Sequence, residues 1–254
     1  MAKRLLLVLL VILLGTGGYG VYRYFSQDTR HDVVMRHADQ FAAIERRLSA
    51  LAPGISSALT EDSDTACRDV RKGARLFRYD QDDPAGNNLG MVTYDQLTDP
   101  AKASGTWDFI NTDLARYVAA SAPGHHRTSG DNEFASDTYT RSVEAMAKVR
   151  YVLVVKTHLT EGGDGSQESS HDHIDDLLGF DGVIADLRSR KVLCTVAGYG
   201  AIDDPGVWYS YPLDAGSAER EQRADDAVDE QLHSDATSEL EWQLNHLRHG
   251  HFAL

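Results

Sequence analysis

Tyr151-Val152-Leu153-Val154-Val155 carries an apolar side chain at every position. Successive side chains of a strand point to opposite faces, so a strand built from this run must be covered on both sides, as a central strand is. Further on, Phe180 to Leu187 and Lys191 to Tyr199 are rich in Val, Ile, Leu and Thr, with only Arg188-Ser189-Arg190 between them. That link is too short for a parallel crossover, so the two runs pair as an antiparallel hairpin. Glu161 to Asp176, between the first strand and the hairpin, is Gly, Ser, His and acid without an apolar period, the composition of an exposed loop. Together these segments predict an α+β fold: an antiparallel sheet centred on residues 151–199, packed by amphipathic helices on one face and preceded by one N-terminal transmembrane helix.

Upstream of the sheet, Val34, His37, Phe41, Ile44, Leu48 and Leu51 recur at spacings of three and four before Pro53-Gly54. The pattern predicts an amphipathic helix over Asp28 to Ala52, stopped by the proline and packed against the domain. Ala74 to Tyr79 and Leu89 to Tyr94 read as short strands that extend the sheet, joined by the turn-rich stretch Asp80 to Asn88. The order of acids in that turn does not follow a calcium loop, which alternates its ligands and places Gly at the sixth position. Trp107, Ile110, Leu114 and Val118 mark a second helix over Trp107 to Ala122. Ala135, Tyr139, Val143 and Met146 mark a third, with Asp131 as its N-cap. Val207 to Tyr211 reads as an edge strand. A last helix over Ala218 to Arg248 is capped by Ser217, with Val228, Leu232, Ala236, Leu240, Leu244 and Leu247 as its buried stripe.

The other end of the chain decides location. Leu5 to Leu14 is unbroken aliphatic sequence behind Lys3 and Arg4, and a Gly-rich stretch carries it on to Tyr22. Residues 5–22 reach the lower limit of about 17–25 residues for a spanning helix. Tyr19, Tyr22, Tyr24 and Phe25 suit the membrane interface. The same run is compatible with a signal peptide, whose removal would release a secreted soluble protein; the absence of an Ala-x-Ala site favours the retained anchor. The basic residues before the span place the N-terminus in the cytoplasm and the main body outside it, so the chain is read as a single-pass protein of the cell membrane. Its parts are a membrane anchor over 1–25, a juxtamembrane amphipathic helix over 26–54 and an extracytoplasmic α+β domain over 55–254. With 254 residues, 42% of them hydrophobic and 25% charged, the chain is long enough for one substantial core. Residues 1–30 balance to +3, which leaves −17 of the net −14 on the remainder. So acidic a body repels phosphate backbones and excludes nucleic acid as a partner.

Candidate chemistry is sparse. Cys67 and Cys194 are the two cysteines. Outside the cytoplasm such a pair forms a disulfide worth roughly 4–5 kcal/mol in the chain-entropy model, with two buried thiols as the alternative. His171 and His173, followed by Asp175 and Asp176, are the candidate metal ligands, although an i, i+2 pair in a loop does not by itself bring three or four ligands together. His246, His249 and His251 lie near the end of the last helix, where they complement its dipole. No Gly-x-Ser-x-Gly elbow is present, and Gly162-Gly163-Asp164-Gly165 lacks the Lys-Ser/Thr continuation of a phosphate loop. No cofactor is called for. The expected function is therefore a membrane-tethered, non-enzymatic domain that binds a protein partner in the envelope or serves its assembly. The alternative is an envelope hydrolase or metal-binding enzyme using His158 or the acidic loop of His171 and His173.

Overall fold

The computed structural model describes residues 28–59, 65–67, 70, 76–102, 109–160, 177–201 and 216–254. The apolar leader, the loop 161–176 with its two histidines, and the proposed edge strand at 207–211 lie outside the described residues. The helices are α1 (Arg30–Met35), α2 (Ala38–Ala58), α3 (Asp113–Ser121), α4 (Asp137–Met146) and α5 (Ser217–His246). The strands are β1 (Ala66–Cys67), β2 (Phe77–Asp80), β3 (Leu89–Thr93), β4 (Tyr151–Thr160), β5 (Leu177–Asp186), β6 (Lys191–Ala201) and β7 (Gly250–Ala253).

Five strands form one sheet in the order β1-β6-β5-β4-β3. β4 and β5 pair antiparallel from Tyr151↔Asp186 to Thr160↔Leu177, and β5 and β6 form the expected hairpin. Its turn, Leu187 to Arg190, is fastened by one carboxylate. Asp186 Oδ1 accepts from the Arg188 and Ser189 amides at 2.8 and 3.3 Å, and Oδ2 accepts from Arg150 Nη2 at 2.9 Å. The sheet is mixed rather than antiparallel, because β3 lies parallel to β4 from Leu89↔Tyr151 to Thr93↔Val155. Between them the chain runs through α3 and α4, a helical crossover of the kind that parallel neighbours require. β2 leaves this sheet and pairs parallel with the C-terminal β7, Phe77↔Gly250 to Asp80↔Ala253.

Helices cover both faces, where one was expected. On the first face Val152, Val154, Val183 and Ala185 pack with Phe41, Ile44, Leu48 and Leu51 of α2, Leu114 and Val118 of α3, and Val143 and Met146 of α4. On the second, Leu153, Val155, Phe180, Ile184 and Val196 pack with Leu232, Ala236, Leu240 and Leu244 of α5 and with Phe77 and Phe252. The unbroken apolar run at 151–155 is thereby explained, since both its odd and its even positions are dry. α5 comes so close to β6 that a Cβ at Gly200 would overlap the backbone of Leu232 and Ala236.

Several helix limits differ from expectation for local reasons. The first predicted helix is two, broken at Arg36 and His37, and α1 carries a full capping box between Thr29 and Asp32. α2 continues through Pro53 to Ala58. An interior proline costs about 3 kcal/mol, but burial of Ile55 and Leu59 returns roughly 1.5–3 kcal/mol each. α3 begins only at Asp113, and Ile110 packs into the second core rather than beside Leu114. Ser136, not Asp131, caps α4, its hydroxyl accepting from the Tyr139 amide. Gly216 holds the cap position of α5 and Ser217 is its first helical residue.

β1 is only two residues long, with Ala66↔Thr195 and Cys67↔Cys194 as its pairs. The two cysteines stand directly opposite each other on neighbouring strands and are disulfide-bonded across a sequence separation of 127. This cross-strand bond fixes the outermost strand of the sheet and is of the kind that persists in oxidising, extracytoplasmic compartments. Among the described residues, no helix is long and apolar enough to cross a membrane.

Candidate functional site

The strands outrun the helical layer on the first face. Alternation puts Lys156 and His158 of β4 on the same side as Val152 and Val154, and Gly179 and Asp181 of β5 on the same side as Val183 and Ala185. On β6 the register carries this face through Thr195 and Ala197 to Tyr199. Two cross-strand rows result: Lys156, Asp181 and Ala197 in one, His158, Gly179 and Tyr199 in the next. No helix covers these rows among the described residues. Tyr199 is 61% exposed, and the His158 side chain is 50% exposed.

Gly179 makes the second row possible. A Cβ there would overlap the His158 imidazole, so the ring lies over the glycine and buries it. His158 Nδ1 stands 3.9 Å from Asp181 Oδ2, a loose contact between half-exposed groups that contributes little to stability. Beside it, Lys156 Nζ sits 5.7 Å from the centre of the Tyr94 ring, and the Tyr94 hydroxyl meets Ser56 Oγ at 2.8 Å. One ammonium, one carboxylate, one imidazole and one exposed phenol thus share an open patch. They supply donors, an acceptor and a stacking surface, which suits recognition of another surface. The back of the same strands is dry: Leu178, Phe180 and Val196 are buried in the core shared with α5. The patch therefore stands on a rigid support.

Enclosed space lies elsewhere. Two adjoining clefts share Tyr79, Gln81 and Asn111, with cavity volumes of only about 20 and 30 Å³, room for a water or two and far below the roughly 300–1,000 Å³ of a ligand pocket. Burial, followed by the Asp113 carboxylate, pushes the Tyr79 phenol well above its ordinary pKa. The polar groups here are used internally. Asp80 Oδ1 accepts from the Asp82 and Asp83 amides, Asn87 clasps the Asp80 backbone from both sides, and Asp113 pairs with Arg116 at 2.6 Å. A second polar cluster lies in the helical layer, where the rings of His31 and His125 stack at 6.4 Å and His125 Nε2 lies 3.2 Å from Asp131 Oδ2. Burial works against the Asp131 charge, but the Thr128 amide, His125 and the Thr128 hydroxyl together hold its carboxyl below the usual range. Its role is to fasten the loop before α4.

His171 and His173 lie outside the described residues, and among the described residues no group of three or more His, Cys, Asp or Glu could hold a metal. His158 is near a carboxylate but lines neither cleft. Of the tail histidines, His246 stacks on Trp242 at 4.8 Å and His251 Nε2 lies 4.0 Å from Asp80 Oδ2. Sequence reasoning missed Lys156, Asp181 and Tyr199 as members of one patch. The available signal was the change after Val155, where the polar residues Lys156, His158 and Thr160 replace aliphatic ones at every second position. No family model, curated protein or solved structure matches the chain.

Proposed function

We propose that this chain is a membrane-tethered extracytoplasmic domain that binds a protein partner through the open patch of Lys156, His158, Asp181 and Tyr199. The observation that carries this reading is the patch itself: a mixed polar and aromatic surface, uncovered in front among the described residues and dry behind. The apolar leader and the disulfide support a location at the outer side of the cell membrane. The end of α2 next to Tyr94 is about 27 Å along the helix from its first turn, and that first turn adjoins α1 and the chain leading to the leader. The patch and Asp28, which pairs with Arg36 just before α2, therefore stand toward opposite ends of that helix, which suits presentation of the patch away from the bilayer. A hydrolase built on His158 and Asp181 needs a cleft around them, and neither residue lines the clefts beside Tyr79.

The test places a photo-cross-linking residue at Tyr199 and, as a control, at exposed Asp39 on α2, in the full chain in its native membranes. A defined adduct from position 199, absent at 39 and lost with Lys156→Glu, is the expected result. Equal labelling from both positions, or none from 199, would sink the reading.

A further inference from the structure

The point where the chain leaves the leader is locked onto the body. The Asp28 carbonyl accepts from the Ala135 amide at 3.0 Å, Thr29 bridges Phe134, and the Arg30 amide donates to the Glu133 carbonyl at 2.8 Å. Asp28 pairs with Arg36 and Glu133 with Arg30, each at 2.9 Å, while Asp32 accepts from the Thr29 amide and hydroxyl. The apolar run ends at Tyr22, so Asp28 lies at most about 20 Å of extended chain from it. Phe134, opposite Thr29, is 40% exposed.

We infer that this seam rests on the lipid interface, with Phe134 entering the headgroup region. The inference depends on the leader being a retained anchor, as in the reading above. Three features carry it. The tether is too short to let the seam wander far from the bilayer. An exposed aromatic ring at that point suits the interface, where aromatic side chains concentrate. Finally, Arg36 and Arg30 neutralise Asp28 and Glu133 and leave Asp32, held by the Thr29 amide and hydroxyl, as the remaining charge here, which lowers the local repulsion in a body whose net charge is strongly negative. Docking of this seam fixes how the domain stands on the membrane, so that the sheet patch is oriented as well as tethered.

The test uses the full chain in nanodiscs of mixed phosphatidylcholine and phosphatidylglycerol, with a nitroxide at Phe134→Cys or at Tyr199→Cys. Docking gives the label at 134 a ratio of oxygen to nickel-chelate collisions several-fold above that at 199, the signature of lipid immersion. A label at 134 as wet as that at 199 overturns the docking, and so does one shielded from both reagents, which identifies cover by a second copy. Alkaline carbonate extraction separates the two failures. Release of the protein overturns the tether and the docking with it, whereas retention with a wet label overturns the docking alone.

Discussion

The first face of the sheet is dry over one half of its strands and wet over the other. Val152, Val154, Val183 and Ala185 lie under α2, α3 and α4, whereas Lys156, His158, Asp181 and Tyr199 continue the same rows into solvent. Backbone pairing does not distinguish the halves, since β4 and β5 stay in register to Thr160↔Leu177. Nor does the second face, whose described residues remain packed under α5, Phe77 and Phe252. Among the described residues, the difference is one missing layer over an otherwise complete sheet. A frayed end would lose pairing and packing together; here only the cover is missing among those residues, and the side chains are polar to match.

The comparison is broken most directly by placing a charge in the dry half. Val154→Asp puts a carboxylate in a fully buried site with no partner and is expected to cost about 4 kcal/mol or more, enough to leave a marginally stable domain unfolded. Circular dichroism and urea titration would read the loss. A folded variant with a normal urea midpoint would mean that the helical layer is not packed as described. Next in size is the disulfide at the edge of the sheet. Cys67→Ala with Cys194→Ala is expected to lower stability by about 2–5 kcal/mol, seen as a lower urea midpoint. An unchanged midpoint would show that β1 adds nothing to the sheet.

Most of the dry half was legible in the sequence, because burial on two faces leaves a run of apolar residues and a hairpin leaves a short polar link. Which helices lie on which face was not, since the stripe of α5 and that of α2 look alike until the strands' parity is known. The parallel pairing of β3 was likewise hidden: a five-residue apolar segment has no directional signal, and its partner is chosen by the crossover that follows. Pro53 misled because a local rule was outweighed by burial of Ile55 and Leu59, just beyond it in the chain. The open patch was least legible of all. Lys156, Asp181 and Tyr199 are common residues on three strands, and only register brings them together.

A smaller effect, at the dry end, depends on pH. Asp186 is 4% exposed, and while its burial disfavours charge, Arg150 and the Arg188 and Ser189 amides outweigh burial and hold its carboxyl below the usual range. A folded-state value below the unfolded one, about 3.9 for Asp, means that this contribution is complete above the unfolded value and is lost as pH falls through the folded one. Asp186→Asn, which weakens the bonds to Arg150 and the turn, is expected to cost roughly 1–3 kcal/mol at neutral pH. It should also flatten the fall in stability between about pH 4 and pH 2. Parallel stability curves for the two proteins over that range would rule out Asp186 as a source of acid sensitivity.

The smallest expected effect on folding is also the sharpest test of the contrast. Tyr199→Ala and His158→Ala remove half-exposed side chains from the wet half, and each should change stability by no more than about 0.5 kcal/mol. Thermal melts of the pair should overlay that of the parent protein. Gly179→Ala separates surface from support, because the added methyl must displace the His158 ring and leave the strands paired. If the patch is a recognition surface, Gly179→Ala and His158→Ala lose partner cross-linking from a neighbouring reporter while they keep the parent's melting behaviour. If instead they melt like Val154→Asp, the wet rows are part of the core after all, and the missing layer is supplied by segments beyond the described residues.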